Sequence, residues 1–234
     1  LAPAIRFLGI QQSSLAVKFN VSLLTMYDDF IKLLESKLGK DLPGDLSHQK
    51  MMSYSRPTAA EAFNHKIPPR KSGVLLLLYP KGDEMHTVFI KRPSYKGVHS
   101  AQISFPGGRH EPEDSDLEET ALREAEEEVG VKRNDVRIIG QLSELYIPPS
   151  NFLVYPSVGL IDYEPQFVPQ EREVDQIIES SLQTIIREET IEEREIFIKN
   201  YNRHITAPTF QVEGHTIWGA TAMILAEFKD LIVD

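Results

Sequence analysis

The chain of 234 residues contains no cysteine. Disulfides, thiolate-ligated zinc and a cysteine nucleophile are therefore excluded as the basis of its fold or chemistry. Positive charge is scarce: 25 Lys and Arg stand against 35 Asp and Glu, a formal net charge of −10. That balance disfavours non-specific association with nucleic acid or an anionic membrane. It leaves an anionic substrate open, because a divalent cation reverses the local sign of an acidic site. No apolar run reaches the about 18–20 residues needed to span a bilayer. Also missing are G-x-x-x-x-G-K-[ST], G-x-G-x-x-G after a strand, and the acidic calcium-loop spacing, so P-loop, Rossmann and EF-hand readings fail. The expected setting is cytoplasmic, which a cysteine-free chain fits.

What is present is an ordinary globular composition, 41% hydrophobic and 26% charged. The length suits one large domain, or one domain with a small N-terminal addition. Residues 1–25 hold Arg6 and Lys18 and no acid. They lack the basic start and continuous apolar centre of a signal peptide. They are expected to be an upstream extension, natural or added. Residues 26–69 read as an N-terminal helix and a connecting segment, and 70–234 as the main domain.

Tyr27, Phe30, Ile31, Leu34 and Leu38 recur at steps of three and four, which predicts an amphipathic helix over 26–38 ending at Gly39. Residues 40–72 read as a polar connection. Strands are expected at 73–79, 86–92, 101–105, 135–145, 153–162 and 173–180. A short helix is expected at 181–190, a late strand pair at 194–201 and 209–217, and a helix over 218–233. Strands interrupted and closed by helices predict a mixed sheet with helices on its faces, an α/β or α+β sandwich.

The most unusual stretch is FPGGRHEPEDSDLEETALREAEEEVGV, residues 105–131. From Glu111 to Glu128 it carries 10 acidic residues and one Arg. Asp116 is a candidate N-cap, with Glu119 placed to complete a capping box, and Gly130 suits the position after a helix end. Leu122, Ala125 and Val129 share the expected core face. Glu124, Glu127 and Glu128 fall within an arc of about 100°. Arg123 lies beside that arc. For any one of these glutamates a solvated surface is the default reading. Three together repel one another unless water or a cation separates them, and hard divalent cations take compact sets of oxygen ligands. Gly107 and Gly108 let backbone approach a metal or phosphate closely.

These residues resemble the Nudix box, G-x5-E-x7-R-E-U-x-E-E-x-G-U with U aliphatic. Arg123, Glu124, Ala125, Glu127, Glu128, Gly130 and Val131 match its second half. In strict register the first Gly falls on Arg109 and the first Glu on Ser115, so one extra residue separates Gly108 from Arg123, and Asp114 supplies an acid nearby. That insertion, with TALRE at 120–124, FPGG at 105–108, PPSNFLVYPSVG at 148–159 and IWGATAMIL at 217–225, resembles the coenzyme A pyrophosphatase branch. Gly97 and Ala101 stand where that branch has an Arg and a Gly.

The resemblance covers about residues 70–230 and implies a Nudix-type α/β/α sandwich with a mixed central sheet. It implies hydrolysis of a nucleoside diphosphate linked to another group, dependent on Mg²⁺ or Mn²⁺. Coenzyme A or a derivative is the leading substrate, giving adenosine 3′,5′-bisphosphate and 4′-phosphopantetheine. ADP-ribose or another dinucleotide is the alternative, and a Nudix-fold binding module with weak catalysis is a third. Glu124, Glu127 and Glu128 are the implied metal ligands, with Arg123 orienting a Glu by charge-assisted hydrogen bonds. Gly107 and Gly108 shape the substrate loop, and Arg92 and Arg109 are candidate phosphate contacts. The base is one of the helix glutamates or a loop acid such as Glu144. Tyr146 is a candidate for stacking a base, whereas Phe152, Tyr155 and Trp218 are read mainly as packing residues. His86, His99 and His110 lack a ligand partner at the next turn and are not read as metal ligands. The expected partner is a small-molecule nucleotide, and a homodimer is a candidate assembly.

Overall fold

A computed structural model describes residues 27–54, 57–63, 67–94, 101–198 and 202–233. The expected extension 1–25, Met26, Gly97 and His99 lie outside the described residues.

The run of apolar residues in β1 (Arg70–Lys81) is continuous because both faces of that strand are covered. Leu76 and Leu78 point into one cluster, and Leu75, Leu77 and Tyr79 into a second on the opposite face. β1 pairs in antiparallel fashion with β2 (Glu84–Lys91) and β4 (Gly107–Arg109), and in parallel with β7 (Phe152–Leu160). β3 (Ile103–Ser104) and β8 (Gln176–Ser181) join β2, while β5 (Arg137–Gln141) and β6 (Leu145–Ile147) join β7. The result is an eight-stranded mixed sheet. A second sheet has the order β11 (His215–Ile217), β10 (Arg203–Val212), β9 (Ile191–Ile198).

Helix α4 (Leu117–Val129) covers one face of the main sheet through Ala121, Ala125 and Val129. The other face holds the larger cluster, to which the C-terminal helix α6 (Gly219–Val233), helix α1 (residues 27–38) and the small sheet contribute. The expected sandwich with a mixed central sheet is thus the observed one.

Several boundaries differ from the sequence reading. β1 begins at Arg70 because its pairing with β7 continues through polar Arg70 and Lys71. The stretch 135–145 divides into β5 and β6, and 181–190 contains α5 (Leu182–Ile186) followed by a 3-10 turn, Glu188–Thr190. Residues 209–217 are not one strand: Glu213 and Gly214 both take positive φ, 50° and 76°, and turn the chain into a hairpin between β10 and β11. The expected capping box at α4 is only half formed. Asp116 accepts the Glu119 N–H at 2.8 Å, but the Glu119 carboxylate pairs with Arg133 instead of returning to the cap.

Among its described residues the connection 40–72 contains the short helices α2 (Asp45–Gln49) and α3 (Ala59–Ala62). α2 is fastened to α6 by a buried polar cluster. Glu227, fully buried, accepts from the Gly44 N–H at 3.2 Å and the Ser143 N–H at 3.1 Å, and lies 2.9 Å from His48 Nε2. Burial alone would raise the Glu227 pKa, but the His48 and Ser143 donors outweigh it and the net shift is downward. One residue pair further out, Lys50 binds Asp230 at 2.7 Å.

Candidate metal centre

Three features place the acidic side chains. Gly130, left-handed at φ 76°, ends α4 and returns its N–H to the Glu126 carbonyl. β4 runs beside β1, with Gly107 opposite Val74 and Gly108 opposite Gly73. Gly108 has no side chain to separate it from the helix: a Cβ there would sit 2.3 Å from the Glu124 carboxylate. Only glycine lets Glu124 lie against this strand.

Glu128 is 1% exposed, and the Gly107 N–H donates to its Oε2 at 2.8 Å. Its Oε1 is buried with no hydrogen-bond partner. Burial pushes the Glu128 pKa up to about 8; the Gly107 N–H and the Arg92 charge oppose this, while Glu124 and Glu173 add to it. Burial also raises Glu124, with Arg123 opposing and Glu127 and Glu173 adding.

Oxygen atoms of Glu124, Glu128 and Glu173 all lie within 4.8 Å of one another. Two of the three sequence candidates are therefore brought together. Glu127 is directed outward, with its side chain 56% exposed and 3.4 Å from Arg123. The third carboxylate of the cluster, Glu173, comes from the loop before β8 and carries no helical spacing that the sequence could have shown. Its one signal is a Pro-bounded acidic stretch, PQEREVD, directly before a strand. Glu144 lies outside this cluster; after burial, its charge is what raises the Tyr155 pKa.

The residues present fit a hard divalent cation. Three carboxylates converge, one has a buried oxygen with no donor, and such cations take oxygen ligands.

Asp114, in the stretch that carries the extra residue, holds Arg123. Its Oδ1 receives Arg123 Nε at 2.8 Å, and its Oδ2 receives Nη2 at 3.1 Å and Thr120 Oγ1 at 2.8 Å. The Arg123 hydrogen bonds hold the Asp114 carboxyl well below the usual carboxylate range against its burial. Arg123 in turn reaches Glu124 Oε1 at 2.9 Å and the Arg109 carbonyl at 3.1 Å. Asp114→Ala is expected to free this guanidinium and lower turnover about 10- to 100-fold, the range for partners that orient metal ligands. Steady-state kinetics would check it, and Asp114→Glu should retain more activity than Asp114→Ala because it keeps the charge.

A cavity of about 410 Å³ adjoins the centre on the side of the sheet facing α6. Gly107, Gly108, Arg92 and Arg109 form part of its lining, so the candidate phosphate contacts and the glycine loop do meet at one place. Neither Arg has a carboxylate within ion-pair distance among the described residues. The deeper wall is apolar and includes Ile103, Phe105, Ile198, Ile205, Trp218 and Ile224. Phe152 also lines it, under the Arg70 guanidinium at 4.2 Å. Trp218 and Phe152 are thus half-buried cavity walls as well as packing residues. Tyr146 is buried against Ala62 and Leu153, and its hydroxyl lies 3.0 Å from Asn151 Oδ1. His86 lies by the Glu84 carbonyl, and His110 Nδ1 is 3.0 Å from Thr120 Oγ1.

The profile of the NUDIX domain matches residues 69–197. The chain belongs to the NUDIX domain family. It is 31% identical over 165 residues to "Nudix hydrolase 15, mitochondrial" of Arabidopsis thaliana, covering 68% of this chain and 58% of that one. It is 37% identical over 135 residues to "Uncharacterized Nudix hydrolase NudL" of Yersinia enterocolitica, covering 58% of this chain and 68% of that one. A solved structure, the MutT protein from Methanosarcina mazei Go1, aligns at 18% identity with a TM-score of 0.46, over 71% of this chain and 96% of that one. The expectation of a Nudix enzyme is met at the level of the family. No helix among the described residues is long and apolar enough to cross a membrane.

Proposed function

We propose that the chain is a divalent-metal-dependent pyrophosphatase that cleaves the diphosphate bridge of a nucleoside diphosphate linked to another group. The observation that carries this reading is the buried Glu128 oxygen without a donor, within reach of Glu124 and Glu173 and beside a cavity lined by Arg92 and Arg109. Glu124, Glu128 and Glu173 would hold Mg²⁺ or Mn²⁺, with Glu127 at the outer edge. When bound, the cation neutralises diphosphate charge, polarises phosphorus and acidifies water for in-line attack. The chain's own part is positional. Arg123, locked by Asp114, fixes Glu124; the Gly107 N–H fixes Glu128; Arg92 and Arg109 meet the anionic substrate. The base is a carboxylate outside that set, the helix residue Glu127 or a loop acid such as Glu144.

Coenzyme A or a derivative is the substrate we favour, cleaved with one water to adenosine 3′,5′-bisphosphate and 4′-phosphopantetheine. Support comes from the box with its extra residue, in the stretch where Asp114 holds Arg123, and from an apolar chamber adjoining the diphosphate site. Phe152 and Trp218 at that chamber favour, as second reading, a dinucleotide such as ADP-ribose whose base would stack there.

The test is cleavage of coenzyme A, acetyl-coenzyme A, ADP-ribose and NADH with Mg²⁺, with Mn²⁺ and with chelator. Coenzyme A compounds are expected to be cleaved best, and only with metal. Preference for ADP-ribose would move the second reading forward. Metal-independent turnover, or none with any of the four, would sink the proposal.

A further inference from the structure

Glu173 is an exposed side chain on a loop, yet its carboxylate is held beside a buried one. Something must fix it, because an exposed glutamate on an unsupported turn loses rotamer and backbone entropy when it is ordered. The loop is anchored at both ends. Upstream, the Val168 N–H donates to the Val129 carbonyl at 3.0 Å, and Phe167 packs edge-on against Tyr79 with ring centroids 5.3 Å apart. Downstream, Val174 is buried in the α4-side core, and the Asp175 N–H donates to the Lys91 carbonyl at 2.8 Å. Between those anchors the hydrogen bonds of the turn converge on one residue, Gln170. Its backbone N–H donates to the carbonyl of Glu128 itself at 3.1 Å. Its own carbonyl accepts from Glu173 at 3.0 Å and Val174 at 2.9 Å. Its side-chain Oε1 accepts the N–H of Arg172 at 2.6 Å and of Glu173 at 3.0 Å.

We propose that Gln170 is the positioning residue of the metal centre, joining the loop carboxylate Glu173 to the end of the helix that carries Glu128. This rests on the metal-binding reading of the cluster given above. Gln170 is neither one of the clustered carboxylates nor part of the cavity lining. It closes a turn whose two sides are a ligand and the backbone of another ligand. The amide side chain matters because its oxygen accepts two successive backbone N–H groups of the turn, those of Arg172 and Glu173. Alanine keeps the main-chain bonds and deletes that acceptor. Glutamate keeps an acceptor in the same place.

The experiment is direct titration of the protein with Mn²⁺, reading free Mn²⁺ by electron paramagnetic resonance, alongside thermal melts. Gln170→Ala is expected to weaken Mn²⁺ binding about 10-fold, within the range for residues that orient metal ligands. Gln170→Glu should bind within about 3-fold of wild type, as conservative rescue at the low end of that range requires. Glu173→Gln should bind weakly, and adding Gln170→Ala to it should cost nothing more, because Gln170 acts through Glu173. Unchanged Mn²⁺ affinity in Gln170→Ala, or losses that multiply in the double variant, would overturn the positioning role. If wild type itself bound no Mn²⁺, or if Glu128→Gln bound it unchanged, the metal reading would fail first and the role of Gln170 with it.

Discussion

Glu128→Gln is expected to lower metal-dependent diphosphate cleavage by at least about 100-fold while the protein melts, in chelator, at no lower a temperature than wild type. The activity side follows from ligand loss. Even residues that only orient a ligand cost 10- to 100-fold, so removing a charged ligand costs at least the upper figure. The stability side has the opposite sign. Glu128 is 1% exposed, its pKa is pushed up to about 8 by burial, and Oε1 has no donor. A folded pKa above the unfolded value means that the stability tied to its proton is complete below the ordinary carboxylate range and is lost as pH rises through about 8. A neutral amide escapes that loss. Melts of metal-free wild type and variant, taken from pH 5 to 9, should diverge as pH rises from the ordinary carboxylate range towards about 8 and run parallel above it. A variant that melted well below wild type across this range would show Glu128 to be a structural group and not a strained ligand.

The second large effect lies away from the centre. Glu227→Ala is expected to destabilise the fold by about 3–5 kcal/mol, the cost of leaving a buried partner uncompensated. The substitution strands His48, which is fully buried, and removes the acceptor of the Gly44 and Ser143 N–H groups. Urea titration would measure it. Adding His48→Ala should cost less than the sum of the two single changes, since they remove the same contact. Because the Glu227 pKa is lowered in the fold, its contribution is full above the unfolded carboxylate value and is lost as pH falls through the lower folded one. Wild type should therefore lose more stability on acidification than Glu227→Ala. Equal acid sensitivity of the two proteins would rule out this pairing as its source.

The acidic helix was legible because its meaning lies in spacing along one element: Glu124 and Glu128, four residues apart, do share the cluster. The same geometry could not tell which of the remaining glutamates turns outward. Glu127 is at the same angular distance from the centre of the arc on paper, but Arg123 and solvent take it. Glu173 was hidden because loop contacts, not periodicity, bring it in. The α/β sandwich could be read from apolar runs, but strand ends could not. Polar Arg70 and Lys71 join β1 only because Phe152 and Leu153 pair with them from a distant strand. The cavity wall is the least legible part, assembled from β3, β9, β10 and α6, whose apolar residues read along the chain as ordinary core.

The half-buried indole of Trp218, a wall of that cavity, is the only one in the chain. Excitation beyond the tyrosine band therefore addresses one wall and nothing else. The protein carries its own optical gauge of what enters the chamber, responsive to polarity and quenching there and blind to events at α2 or the far end of the sheet.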